Sequence, residues 1–375
     1  MEVDPTTEIV NETGENINLA TIITCTTFVI TGQCIARLLE TFHHHHNFYW
    51  SLHDGIWTQP FLQVIGFPLL LLPFFFLSSR KHNQLLITSK PYSLSLLYIC
   101  TGITMLVQVR LYVKGKLESP FNKFLLLDGS RIYLTPIFAA IIKRIKFNVW
   151  MVISLVYTIA ITTLSSYVGG ELSALLSAFT FIFLLGNIEK TFDVYISKGN
   201  KKVKPIFADV LEILIFSSLC ATLAAVFISG ENHDLMREME GFPKGKIVYV
   251  MTMVGQVAAW QIYWVGIVGL VVFAESIVTS NIVSFSPYPI IMVLEILFFN
   301  YEDDEFDGYL GAALVLSAFM VVNCLYKTRH VRRYEISKRS RFFLVLVSVF
   351  VHHLYISELL TSDPYISPPT AFDFY

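Results

Sequence analysis

The chain has 375 residues, of which 54% are hydrophobic and only 15% charged, with a formal net charge of −2. So little charge spread over so long a chain excludes an ordinary soluble domain with a polar surface, and no basic, aromatic-interleaved stretch points to nucleic acid as a partner. The sequence is that of a protein whose main solvent is lipid.

Ten stretches are each long and apolar enough to cross a bilayer: 18–37, 57–77, 91–113, 120–142, 147–166, 169–189, 206–229, 247–273, 276–299 and 308–327. A span needs about 20 apolar residues, because a helix rises roughly 1.5 Å per residue through about 30 Å of hydrocarbon. Lipid satisfies no backbone amide, so each stretch is predicted to be a helix, and the alternating pattern of a membrane barrel is missing. The expected fold class is therefore an all-α polytopic membrane protein with ten transmembrane helices. A polar segment, 1–17, precedes the first span. That span lacks the short apolar core, basic start and small-residue cleavage site of a signal peptide and reads as a retained helix.

Basic residues set the orientation. With the N-terminus in the cytosol, the inner gaps and tail hold eighteen Lys and Arg, against six in the outer gaps: Arg37, Lys114, Lys116, Arg237, Lys244 and Lys246. The N-terminus is accordingly expected inside, although Asn11-Glu12-Thr13 is a glycosylation sequon that would be used only on the opposite side. The five cysteines, Cys25, Cys34, Cys100, Cys220 and Cys324, all fall in predicted spans without Cys-x-x-Cys spacing, so they read as small packing residues.

Helix interruptions divide the chain into five spans and five. The fourth span carries Gly129 and Pro136, the ninth Pro287 and Pro289, and each is followed by a short charged turn and a shorter span. Helices broken at matching positions in two halves point to a transport site at the midplane, since an interruption frees backbone groups for a solute. Simple kinks are the other reading.

Ionisable residues deep in spans face protein or water, because a charge at the centre of a helix costs on the order of 2.5–3.5 kcal/mol on insertion scales. The candidates are Arg110, Asp128, Arg131, Glu212, Glu275 and Glu295. Asp128 and Arg131, three apart, share a helix face and are expected to pair, as scaffold or as solute contact. Glu212 has no basic neighbour on its own span. It is the candidate proton carrier, or else a carboxyl reached by water near the cytosolic mouth. The eighth span holds Gln256, Trp260, Gln261, Tyr263 and Trp264 within nine residues. Flat rings beside amides that donate and accept suit a planar heterocycle with polar edges, and equally suit core packing. The run His43 to His46 sits in the first outer loop of this scheme, and with the other histidines it lacks the spaced pairs of a membrane di-iron centre. No metal, cofactor or catalytic residue is expected.

Gly32-Gln33, then Phe61 to Pro68 (FLQVIGFP), Val210 to Ile213 (VLEI), Arg237 to Lys246 (REMEGFPKGK), Trp260-Gln261, Gly266 to Gly269 and Phe298-Phe299 occur in an order and spacing that resemble the plant purine permeases of the drug/metabolite transporter superfamily. The resemblance runs from about residue 30 to 327. It implies two inverted five-helix repeats, 18–166 and 167–327, and proton-coupled movement of purine bases, cytokinins or related heterocycles across a membrane, the plasma membrane being the expected place. Solute, protons and lipid are then the partners. The resemblance also makes the Trp260-Gln261 cluster a site wall, with Gln256 beside it and Gln108, Arg131, Tyr133 and Asp128 opposite. The chain departs from the family pattern at Gln108, Val109 and Arg110 in span three, and in span four Arg131 and Thr135 replace Gln and Asn. A degenerate, non-transporting paralogue and a carrier of alkaloid-type heterocycles are the alternatives. The tail, 328–375, adds an apolar run at 342–360 that reads as an interfacial helix or an eleventh span.

Overall fold

Where side chains must shed water and the backbone has no other partner, helices form, and the computed structural model is helical with short turns over the residues it describes: 5–46, 52–78, 91–119, 124, 127–131, 134, 135, 137, 138, 169–196, 206–229, 239–274 and 276–299. In chain order the helices are α1 Pro5–His46, α2 Leu52–Val64, α3 Phe67–Ser78, α4 Pro91–Glu118, α5 Gly169–Ile196, α6 Phe207–Ser229, α7 Lys246–Ala274, α8 Ile277–Phe285 and α9 Tyr288–Phe299. Seven stretches among them are long and apolar enough to cross a membrane, α2–α3 and α8–α9 each counting as one. No strand occurs among the described residues. The predicted fifth and tenth spans, Tyr133, Glu275, Cys324 and the 342–360 run lie outside them, whereas the sequon falls within α1.

Two spans are broken, for local reasons. The ninth breaks where expected: the Ser286 amide still reaches the Ile282 and Val283 carbonyls at 3.2 and 3.3 Å, but Pro287 and Pro289 have no N–H to continue the ladder. Proline is tolerated in the first turn, so α9 starts at once, with Ile291 bonding back to Pro287 at 2.9 Å. The second span also breaks, at Ile65-Gly66, just before Pro68. In the fourth span residues 127–129 are helical and Ser130 is a turn residue, its amide bonded to the Leu127 carbonyl three residues back. Polar side chains facing outward are satisfied within their own helix: along α1 the hydroxyls of Thr24, Thr27 and Thr31 donate to carbonyls four residues earlier at 2.8–3.0 Å.

Small residues decide which helices touch. α1 and α7 run antiparallel and in close approach. A Cβ added at Gly32 would lie 2.5 Å from the Tyr263 backbone nitrogen, and one at Gly266 2.7 Å from the Cys25 carbonyl. α4 meets α5 the same way at Gly115 against Ala174, and α6 at Gly102 against Ser217. The Thr222 hydroxyl on α6 reaches the Val64 carbonyl at the second-span break, 3.1 Å away. Large apolar side chains such as Leu72, Phe76, Phe227, Ile247 and Met251 point outward, where lipid would cover them.

The structure corrects two sequence expectations. α1 does not end at 37; it continues through His43 to His46, so the histidines belong to a helix and not to a loop. Arg37 and Lys116, assigned to outer gaps by the charge pattern, are helical, and Arg37 is buried. Hydropathy stops at the first charge, whereas a helix continues if the charges neutralise one another inside the bundle.

Candidate functional site

Most of the middle of α7 is buried, with Ile262 exposed, and α1 packs closely against it at Gly32, Gly255, Gly266 and Gly269. Gln256, Trp260 and Tyr263 share one helical face. All three are buried, Trp260 at 3% exposure. The Trp260 ring meets Tyr263 edge-on at 5.4 Å, and Tyr263 meets Trp264 at 5.2 Å. Neither amide atom of Gln256, nor the indole N–H of Trp260, has a hydrogen-bond partner among the described residues. Gln261 lies about 100° around the helix, as its spacing of one residue from Trp260 requires. Its amide fits against Gly66 and donates to the Gln63 carbonyl at 3.2 Å, tying α7 to the second-span break while its own carbonyl stays unpaired.

Opposite stands a buried polar group built from four parts of the chain. Asp128 and Arg131 pair at 3.3 Å, both enclosed, as the three-residue spacing predicts. The Tyr288 hydroxyl, at the start of α9, donates to the same Asp128 oxygen at 3.3 Å and shares a 2.5 Å hydrogen bond with the Tyr112 hydroxyl of α4. The Arg37 guanidinium lies over the Tyr112 ring, 4.6 Å from its centre, and 5.3 Å from the Trp260 ring centre, joining this group to the α7 wall. Arg37 in turn pairs with Glu40 at 2.6 Å, and Lys116 closes on the other Glu40 oxygen at 3.2 Å. The neighbouring Thr41 hydroxyl donates to Glu295 on α9 at 2.6 Å. Each charge so enclosed has a charged or hydroxyl neighbour, the condition for keeping it out of water.

Span four contributes further through Thr135, whose hydroxyl donates to the Arg131 carbonyl at 2.5 Å. Asn281 of α8 crosses to the same place, its amide donating to the Arg131 carbonyl at 2.8 Å and the Thr135 oxygen at 2.6 Å. The Arg131 guanidinium rests 4.7 Å from the centre of the Phe181 ring and 5.5 Å from that of Phe285. Unpaired among the described residues are Nε of Arg131, Nε of Arg37, Oδ1 of Asp128 and Oδ1 of Asn281. The enclosure thus presents flat rings together with both donors and acceptors, the combination that a planar heterocycle with polar edges can satisfy.

Of the residues singled out in the sequence, Trp260, Asp128 and Arg131 are linked through Arg37, Tyr112 and Tyr288, and Gln256 is buried one helical turn from Trp260. Gln261 is turned to the α2–α3 break, Gln108 is buried on α4, and Glu212 is half-buried on α6 beside fully enclosed neighbours. The sequence reading passed over Arg37, Glu40, Lys116, Tyr112, Tyr288 and Asn281. Arg37 and Glu40 carry the signal that identified Asp128 and Arg131, opposite charges three apart on a helix, but they sit past the apolar stretch used to bound the span. At the C-terminal end of α1, His43 stacks on Phe242 at 5.9 Å, where the Phe242–Gly245 turn, with Gly245 at φ 92°, leads into α7. No cluster of three metal-ligating side chains occurs among the described residues.

Comparison with known proteins agrees with this architecture. Residues 20–333 match the family model PUNUT, described as purine nucleobase transmembrane transport. Purine permease 14 of Arabidopsis thaliana is 47% identical over 356 residues, covering 84% of this chain and 89% of that protein. Putative purine permease 15 of the same plant is 42% identical over 82% of this chain and 84% of its own length; probable purine permease 23 is 32% identical over 80% and 83%. A match across almost the whole helical region, with relatives this similar over most of their length, means that the chain belongs to the purine permease family of membrane transporters and is not an enzyme.

Proposed function

We propose that the protein is a secondary carrier of purine nucleobases or purine-like heterocycles, driven by protons, with the solute held at the midplane between the α7 wall and the charged group opposite. The observation that supports this reading is the contact of Trp260 on α7 with Arg37, which Tyr112 and Tyr288 link to Asp128 and Arg131, in a buried region where several polar atoms, including those of Gln256, have no partner among the described residues. Stacking of a base on an aromatic ring contributes about 1–3 kcal/mol and tolerates different bases, leaving selectivity to the polar edges. Gln108, Gln261 and Tyr133 remain candidate solute contacts in this reading.

The ten-span arrangement as two inverted repeats draws support from helix pairing. Span one packs on span eight and span three on span six, as α1 on α7 and α4 on α5. Exchanging spans one to five with six to ten turns each of these pairs into the other, and leaves the span two to span seven contact unchanged. Such exchange is what a twofold in the membrane plane requires, and it suits alternating access around a fixed site. The N-terminus is assigned to the cytosol and the protein to the plasma membrane.

Uptake of radiolabelled adenine in a yeast host lacking its own base carriers tests the function. Uptake above background, competed by purines or cytokinins, is expected. No uptake, together with no thermal stabilisation of the purified protein by any of these solutes, would reduce the chain to a non-transporting member of its family. Glu212 is proposed as the proton carrier. Glu212→Gln should flatten the pH dependence of uptake while leaving solute binding at fixed pH within about twofold; an unchanged pH profile removes Glu212 from the coupling.

A further inference from the structure

We propose that Arg37 contacts the solute directly, giving a charged N–H to a ring-nitrogen or carbonyl lone pair of the heterocycle beside Trp260, and that Glu40 and Lys116 are positioning residues that hold it there. The inference rests on the preceding reading of the enclosure as a purine site, and adds the group that would read an acceptor on the solute's edge.

Three observations lead to it. Arg37 stands at the junction of the two walls, its guanidinium within 6 Å of the centres of both the Tyr112 and the Trp260 rings. It is 97% enclosed, so its remaining donors have no access to bulk water, and its Nε finds no acceptor among the described residues. The indole N–H of Trp260 and both amide atoms of Gln256 are unpaired in the same part of the enclosure. A cation needed only to tie α1 to its neighbours would have its donors spent on protein acceptors. Here one N–H goes to Glu40, and the Nε N–H has no acceptor among the described residues.

The support behind Arg37 is equally specific. Glu40 binds it at 2.6 Å through one oxygen, and Lys116 occupies the other at 3.2 Å. Anchored at both oxygens, the Glu40 carboxylate holds Nη1 and leaves Nε without an acceptor among the described residues. Asp128 is held through Oδ2 by Arg131 and Tyr288, and Glu295 takes the Thr41 hydroxyl, so the direct partner of the Arg37 guanidinium among the described carboxylates is Glu40. A neutral purine ring offers lone pairs at its ring nitrogens, and a charged donor binds such an acceptor more strongly than a neutral one does.

Deleting atoms on both sides tests the contact. Adenine and its 1-deaza, 3-deaza and 7-deaza analogues, each with one ring nitrogen replaced by C–H, compete for radiolabelled adenine uptake by the wild type and by Arg37→Met. In the wild type one analogue should compete about tenfold or more weakly than adenine. In Arg37→Met that one difference should vanish while discrimination at the other two positions stays, and Glu40→Gln should diminish it without abolishing uptake. Three analogues that match adenine in the wild type overturn the proposal, as does discrimination that survives in Arg37→Met. If Arg37→Met does not reach the membrane, the wild-type panel and Arg37→Lys decide: the lysine variant must reach the membrane and lose selectivity for that one nitrogen, and undiminished selectivity overturns the contact. Absence of adenine uptake by the wild type is a separate result and removes the purine reading itself.

Discussion

The α1–α7 seam and the charged group around Arg37, Asp128 and Arg131 are both buried in the same bundle, yet opposite physics holds them. The seam, at Cys25, Gly32, Gly266 and Gly269, contains almost nothing that can hydrogen-bond through a side chain; it exists because missing side chains let two backbones approach. The charged group has few small residues and depends on every carboxylate finding a cation or a hydroxyl. One region has a single way to fit. The other can exchange partners, and that is the property a site needs if a solute is to enter and leave.

Breaking the charged group should have the largest effect. Asp128→Ala leaves Arg131 enclosed without its carboxylate, a loss of about 3–5 kcal/mol that should appear as a collapse of the melting temperature in detergent. The seam should respond to volume instead of charge. Gly32→Ala places a methyl group against the backbone of Tyr263 and Ala259, and should cost about 1–3 kcal/mol, measured in the same melt, with no change in the pH dependence of uptake. Equal sensitivity of the two regions to volume would erase the contrast.

Gln256 sharpens the comparison from the other side. Its buried amide has no partner among the described residues, so Gln256→Met removes an unsatisfied polar group and should raise stability by about 1 kcal/mol while weakening solute uptake. A variant that loses both stability and uptake would mean that the amide is structural. The smallest effect belongs to the exposed pair Lys246–Glu240, 3.1 Å apart with both side chains more than half exposed. Lys246→Ala should shift stability by no more than about 0.5 kcal/mol, setting the baseline against which enclosed pairs are judged.

Certain features of the protein follow from the order of residues alone. Seven of the apolar runs long enough to span a bilayer, the pairing of Asp128 with Arg131 and the break at Pro287 are local consequences of hydropathy, helical periodicity and a missing N–H, and all appear among the described residues. The α7 cluster was visible too, but not its division of labour: the facing surface decides that Gln256 and Trp260 look into the enclosure while Gln261 fills the space beside Gly66. Arg37 and Glu40 share the three-residue spacing, but the pairing of Lys116 with Glu40 and the placing of Arg37 against the Tyr112 and Trp260 rings needed tertiary structure. Each looks like a loop charge along the chain, because a window of hydropathy registers the cost of a single ion in lipid. It does not register the partner, dozens of residues away, that removes that cost once the helices pack.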